Sequence, residues 1–364
     1  MDKTPTKNSI YSLIPLFGTE KENYVLATVT GAYGSTPQKP GSSALFDKTG
    51  LIAGTVGGGA VELAIQKNAM EAVQNRKSGY FQFNLSNDIE EEKGPVCGGG
   101  MDILLDASPE KHTEVFQKLQ NSLKKQIPGI LITVAETGIQ EDFKIKRYFL
   151  TSENKSELSA LLNPDILGEV SDMLKNSLQN DFREFIFNNK KTETKQHIFL
   201  ESILPLQRLF IAGAGHVGKA LSHLGKLLGF DIWVWDDRPE YARKNNLPDA
   251  DQILTGKIDS SLDSISPDKD TFVVIVTRDH QNDAEVLKTF ISSNAGYIGM
   301  MGSKRKIIQL KEQFIKKGWA TTEQWEKIYT PIGLEIHSKT VQEIAVSIAA
   351  QLVQIRNETH TKNG

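Results

Sequence analysis

The chain has 364 residues, 39% hydrophobic and 24% charged, with 29 glycines, a single cysteine and a formal net charge of −3. That length supports two ordinary domains with a core each, the composition excludes a disordered or collagen-like polymer, and the slightly negative charge argues against a dedicated nucleic-acid binder. Cys97 has no second cysteine for an internal disulfide, no run approaches the roughly 20 apolar residues of a membrane helix, and the opening MDKTPTKNSI lacks an apolar signal core, so a cytoplasmic protein without membrane or nucleic-acid partners is expected.

From residue 22 to 106 short β-like runs alternate with glycine clusters. YVLATVT (24–30), SSALF (42–46) and LIAGTV (51–56) read as strands. After Gly57-Gly58-Gly59 the spacing of Val61, Ala64, Ile65, Ala69 and Val73 predicts a helix. FQFNL (81–85) and MDILLD (101–106) read as strands again, followed by a helix over 109–125. The strands GILITVAE (129–136) and KIKRYFL (144–150) come next, then a weaker helix–strand pair over 165–187. NNKKTETK (188–195) is polar and aperiodic, a linker or an exposed hairpin tip. Beyond it RLFIAG, a helix, FDIWVWDD, TFVVIVT, a helix and GYIGM alternate as a parallel sheet with right-handed crossovers requires. VVIV and DIWVW lack polar alternation, as strands buried on both faces do. The expected fold class is α/β: an N-terminal α/β domain with glycine-rich loops over 1–190, and a C-terminal Rossmann-type parallel-sheet domain over 200–364.

Gly213-x-Gly215-x-x-Gly218 falls between a predicted strand and a predicted helix. The first glycine permits a tight turn, the second a close backbone approach to a pyrophosphate, and the third close packing of helix on strand. The phosphates would sit at the helix N-terminus. Asp236, eighteen residues beyond Gly218 at the end of the next strand, is placed to accept hydrogen bonds from ribose hydroxyls, with Asp237 the alternative if the strand runs one residue further. The ligand of such a pocket could be NAD(P), another nucleotide, or nothing, because fold alone does not specify occupancy. His216 lies inside the loop and is expected to face solvent. In TRDHQND, His280 and Asp283 could face the crevice at the carboxyl ends of the strands, or Asp279, Asn282 and Asp283 could form a helix N-cap cluster.

Two N-terminal segments, 30–62 and GPVCGGGMD (94–102), place consecutive glycines between regular elements. Gly57, Gly58 and Gly59 precede a helix and suit an anionic group. Gly98, Gly99 and Gly100 expose the backbone beside Cys97, whose thiolate could meet a soft metal. Equally, Cys97 could be a small buried hydrophobe and the glycines simple turns.

The run GSTPQKPG, GTVGGGAVE, GPVCGGG, GAGHVG with DDR, RDHQND, YIGMMGSKRK and PIGLEI with EIAVSIAAQ resembles the XdhC/CoxI family over nearly the whole chain and in the same order. That resemblance implies an accessory factor of xanthine dehydrogenase maturation, a cofactor chaperone more than a catalyst. Such a protein binds molybdenum cofactor (molybdopterin), supports its sulfuration by a cysteine desulfurase, and inserts it into an apo molybdenum hydroxylase such as xanthine dehydrogenase. By the same resemblance Gly57, Gly58, Gly59, Cys97, Gly98 and Gly99 are the candidate cofactor residues, with Cys97 the candidate molybdenum contact. Gln38 stands where many relatives carry arginine, and Arg278 where histidine is common. Two other readings compete: an NAD(P)-dependent oxidoreductase using Gly213, Gly215, Gly218, Asp236 and His280, or a sulfur- or nucleotidyl-transfer enzyme acting on the cofactor. The apolar face of EIAVSIAAQLVQI could pack within its domain or support a homodimer.

Overall fold

The structure is a computed structural model describing residues 7–17, 23–58, 60–84, 99–137, 143–153, 164–175, 181–189, 194–258, 265 and 267–361. It divides into a first unit, Met1–Pro205, and a second, Leu206–Gly364.

In the first unit, β1 (Val25–Tyr33), β2 (Ser43–Asp47), β3 (Gly50–Gly54), β4 (Gly79–Asn84) and β5 (Gly100–Asp106) form an antiparallel sheet in the order β3-β2-β1-β5-β4. A second antiparallel sheet, ordered β7-β6-β9-β8, is built from β6 (Gly129–Thr137), β7 (Phe143–Leu150), β8 (Phe182–Asn189) and β9 (Thr194–Ile203). Alternation along β1 explains the layering. Val25, Ala27 and Val29 pack under α2 (Ala60–Asn75) with Ile65, Ala69 and Val73, while Leu26 and its in-register neighbours point the other way. Likewise Ile130, Ile132 and Val134 of β6 pack on α4 (Pro164–Lys175) through Ile166, Val170 and Met173. Leu26 and Leu45 of one sheet meet Leu131, Phe149 and Ile203 of the other around α1 (Lys7–Phe17) and α3 (Thr113–Lys124), which supply Ile10, Tyr11, Ile14, Phe116 and Leu119.

Of the polar stretch 188–195, Asn188 and Asn189 pair with Lys195 and Thr194 at the end of a β8–β9 register that runs from Phe182↔Glu201 to Asn189↔Thr194, and residues 190–193 lie outside the described residues. Because β8 and β9 belong to one sheet, the stretch does not divide the two units. Because β9 completes the second sheet, the division falls between Pro205 and Leu206, later than the sequence boundaries of 190 and 200.

The second unit is a wholly parallel sheet ordered β12-β11-β10-β13-β14. Its strands are β10 (Arg208–Ala212), β11 (Asp231–Asp236), β12 (Gln252–Thr255), β13 (Thr271–Ile275) and β14 (Tyr297–Met300). Both faces are covered, which is why the strands read as unbroken apolar runs. One face packs on α5 (His216–Leu227) and α9 (Val341–Thr361), through Leu221, Ala345, Ile348 and Leu352. The other packs on α6 (His280–Phe290), α7 (Lys304–Lys316) and α8 (Thr322–Glu326), through Val286, Phe290, Phe314 and Trp325. The buried side of α9 is therefore used inside its own unit. Among the described residues, no helix is long and apolar enough to cross a membrane.

Candidate functional site

In the first sheet β1 ends where Tyr33 pairs with Gly100, β2 begins where Ser43 pairs with Thr28, and β3 ends where Gly54 pairs with Ala44. Antiparallel pairing thus delivers residues 34–42, 55–58 and 99 to one end of the sheet. The loop after β1 folds back on its strand, with Gly41 N–H donating to Val29 O at 2.7 Å and Val29 N–H to Ser42 O at 2.8 Å. Gln38 closes the loop by accepting from Ser42 Oγ at 3.1 Å on its side chain and from Thr36 Oγ1 at 3.1 Å on its carbonyl. Across the rim, Thr55 Oγ1 donates to Gly57 O at 2.6 Å, so Gly57 is buried while Gly58 is exposed. A Cβ at Gly58 would meet no atom within 4 Å. Gly99 is the opposite case: a Cβ there would lie 2.5 Å from Tyr33 O and 2.6 Å from Ser35 O. Only glycine lets this segment lie flat against the loop after β1. Glu62, in the first turn of α2, has a buried Oε1 without a hydrogen-bond partner among the described residues, an acceptor waiting for a donor.

A polar layer runs inward from this rim between the sheets. The register slips between Val29 and Gly31. A Cβ at Gly31 would stand 2.7 Å from Asp102 Oδ2 and 2.8 Å from Tyr33 Oη, so the glycine makes room for the Tyr33–Asp102 hydrogen bond of 2.9 Å. That bond, more than burial, pushes the Tyr33 phenol up. Thr30 Oγ1 donates to Tyr80 Oη at 3.2 Å, and the Tyr80 ring lies 4.8 Å from the His197 ring. His197 Nδ1 lies 2.6 Å from Glu184 Oε1. Further in, Arg147 is paired with Asp106, both side chains 2% exposed, and Tyr11 donates to Glu201 at 2.8 and 2.9 Å. Burial first, and the Glu201 charge second, push the Tyr11 phenol well up. Tyr11, Thr30, Arg147 and Glu201 line part of a small cavity between the sheets that has room for a water.

In the second unit the glycine loop is built as its spacing requires. Gly213 has φ +120, and a Cβ on Gly218 would fall 1.8 Å from Gly213 O, so the start of α5 touches the loop backbone. Gly215, the residue capping α5, has open space where a Cβ would stand, a cradle suited to a phosphate at the helix N-terminus. β11 ends at Asp236, not Asp237. The Asp236 carboxylate is 2% exposed and fully engaged. Oδ2 accepts from Ala214 N–H at 2.8 Å and Arg238 Nη2 at 3.0 Å; Oδ1 accepts from Arg238 N–H at 3.0 Å and Arg238 Nε at 2.8 Å. Burial would push this carboxyl up, but the Arg238 guanidinium and the two backbone N–H groups outweigh it and hold it below the usual range. Arg238 stacks on Tyr241 at 3.9 Å. Asp237 pairs with Arg278 at 3.2 Å, and Arg278 with Asp279 at 3.2 Å.

His216 and His280 are exposed. Asp279 is the N-cap of α6, accepting from Gln281 N–H at 3.0 Å and Asn282 N–H at 2.9 Å. Asp283 does not flank His280 in the crevice; it is buried, accepting from Thr277 Oγ1 at 2.6 Å and paired with Lys306. The structure therefore gathers Gly57, Gly58 and Gly99 at one rim and Gly213, Gly215, Gly218 and Asp236 at another. Gly59, Cys97 and Gly98 lie outside the described residues. Among the described residues no three His, Cys, Asp or Glu side chains are grouped as metal ligands. Sequence reasoning missed Tyr33, Tyr80, Asp102, Glu184 and His197. The signal that could have found them is a polar residue at an inward strand position.

Comparison with known proteins agrees with this division. Residues 19–84 match the XdhC and CoxI family, and residues 209–352 match the XdhC Rossmann domain. A Bacillus subtilis (strain 168) protein described as a probable xanthine dehydrogenase subunit is 24% identical over 339 residues, 93% of this chain and 94% of that protein. The uncharacterized protein YqeB of Escherichia coli (strain K12) is 23% identical over 341 residues, 93% of this chain but 45% of its own length. A crystal structure described as a xanthine dehydrogenase from Bacillus halodurans has the same fold, with TM-score 0.72, 23% identity and 96% coverage of both chains. With an XdhC and CoxI segment in the first unit and an XdhC Rossmann domain in the second, the chain belongs to the XdhC/CoxI family.

Proposed function

We propose that the protein is an accessory factor in maturation of xanthine dehydrogenase or a related molybdenum hydroxylase, and that the rim of the first sheet is where it takes up molybdenum cofactor. The observation that carries the reading is the meeting of three glycine-containing segments at one sheet end, beside a buried carboxylate oxygen on Glu62 that has no hydrogen-bond partner among the described residues. Gly58, exposed just before α2, presents its backbone at the helix start, a setting that favours a phosphate, while the Gly57 N–H is held by Thr55 Oγ1 at 3.2 Å and shapes the turn. Glu62 Oε1 offers an acceptor to an N–H donor such as a pterin edge carries. Cys97, two residues before Gly99 in the sequence, is the residue whose sulfur would meet the molybdenum. The bound cofactor would bring the molybdenum centre; the protein's part is to hold it, shield it while a cysteine desulfurase supplies sulfur, and pass it to the apo-enzyme. Activity in a cytoplasmic setting is consistent with the lone cysteine.

The test is to mix the purified full chain with molybdenum cofactor, pass it over a sizing column, and measure molybdenum and pterin per chain. Co-elution near one of each per chain supports the proposal. No retention, together with substrate-dependent NADH formation, would replace it with the oxidoreductase reading. Cys97→Ser separates a chaperone from a sulfur-transfer enzyme. A chaperone loses affinity at most, whereas a sulfur carrier loses transfer outright.

A further inference from the structure

The acid that ends β11 in a dinucleotide-binding unit reads a ribose diol by offering it carboxylate oxygens. Asp236 has none to offer. An ionised carboxylate has about four lone-pair sites, and all are taken by Ala214 N–H and three Arg238 donors. Arg238, in contrast, commits only Nε and Nη2 to Asp236, and among the described residues its Nη1 has no hydrogen bond. Arg278 likewise bonds through Nε and Nη2. β11 and β13 flank β10, so the Asp237–Arg278 pair bridges two strand spacings, about 10 Å, across the end of β10. Arg238 Nε also lies 3.8 Å from Asp237, so Asp237 draws both guanidinium groups together beside the glycine loop, whose Ala214 N–H is bound to Asp236.

We propose that this crevice takes an adenine nucleotide bearing a phosphate on the ribose 2′-oxygen, with Arg238 as the specificity-determining residue and Arg278 as its second anchor. The two arginines differ in how firmly they are held. Arg278 and its partner Asp237 are 53% and 31% exposed, so an arriving dianion readily replaces Asp237. The Asp236 side chain is 3% exposed and three of its four bonds keep Arg238 in place, a planar cation stacked on Tyr241 with one edge turned to a phosphate. Asp236 thus acts as a brace for the arginine instead of a reader of the diol. This binding is independent of molybdenum cofactor, so failure of either proposal leaves the other standing.

The experiment titrates the full chain with NADP⁺, NAD⁺ and adenosine bearing 2′- and 5′-phosphates, following tryptophan emission and checking by equilibrium dialysis. The phosphorylated ligands should bind at least about tenfold tighter than NAD⁺. Arg238→Ala should abolish that preference and tighten NAD⁺, because Asp236 oxygens are uncovered. Arg278→Ala, which leaves the Asp236 brace intact, should weaken only the 2′-phosphorylated ligands; this variant decides the matter if Arg238→Ala does not fold. NAD⁺ binding as tightly as NADP⁺, absence of any nucleotide binding at millimolar concentration, or equal loss of both ligands in Arg278→Ala would each overturn the proposal.

Discussion

Replacing Asp236 by asparagine keeps the shape of the side chain and removes two of the acceptor sites that hold the glycine loop and Arg238. Four donors converge on the carboxylate at 2.8–3.0 Å; an amide oxygen can serve two, and the NH2 group then faces the others. Arg238, 20% exposed, recovers water for its lost bonds, whereas the Ala214 N–H in a residue 1% exposed does not. Hydrogen bonds to charged groups contribute about 1.5–3 kcal/mol each, so a net loss of about 3 kcal/mol is expected. All four tryptophans, Trp233, Trp235, Trp319 and Trp325, lie in the second unit, so their emission during urea unfolding reports that unit alone. With a slope of about 2 kcal/mol per molar, the midpoint should fall by about 1.5 M. The pH dependence has a definite sign. The folded carboxyl lies below its ordinary value, so its stabilisation is complete above the unfolded pKa of about 3.9 and is lost as pH falls through the lower folded value. The gap between wild type and variant should therefore be constant from neutral pH down to about 5 and narrow below 4. A midpoint shift under about 0.3 M at neutral pH, or a gap that widens on acidification, would refute the bracing role.

Gly218→Ala should lower the same tryptophan midpoint by an amount equivalent to about 3 kcal/mol, since its Cβ would fall 1.8 Å from Gly213 O and α5 must move; an unchanged midpoint would show that the loop yields freely. Gly99→Ala puts a methyl 2.5 Å from Tyr33 O, so it should reduce molybdenum retained per chain while leaving the tryptophan transition where it is. Retention equal to wild type would remove the rim from the cofactor site. Arg147→Met strands buried Asp106 and should cost the first unit about 3–5 kcal/mol, read by thermal far-ultraviolet circular dichroism, with most of it recovered in Arg147→Met/Asp106→Leu. A double variant as unstable as the single one would mean that the pair contributes through more than charge compensation.

The parallel sheet of the second unit is legible in the sequence because its strands carry one signal. Leu209 and Ile211 face α5 and α9, Phe210 and Ala212 face α6 and α7, and both sides are apolar. β9 gives no such signal. Its inward positions include His197 and Glu201, which break the hydrophobic pattern by which a half-buried strand is recognised. Their burial is made tolerable by Glu184, thirteen residues away, and Tyr11, 190 residues away. A strand whose polar residues are satisfied by distant partners reads locally as loop, and so the sequence boundary of the first domain falls too early. The rim residues Tyr33, Asp102 and Tyr80 escape notice for the same reason: pairing across β1, β4 and β5 aligns them.

The glycine fingerprint raises a different problem, because there every motif residue is found and placed correctly. Gly213, Gly215 and Gly218 have the roles their spacing implies. What the spacing leaves open is whether the acid at the end of β11 faces a ligand or a neighbour. β11 stops at Asp236, and Arg238, two residues on, turns back to bind it bidentately. Had the backbone beyond Asp236 continued straight, alternation along the strand would have aimed both side chains to the same face with no such closure. The choice between a diol reader and an arginine brace is therefore made by a single turn after the strand. It changes the ligand that the crevice can recognise while leaving the fingerprint itself untouched.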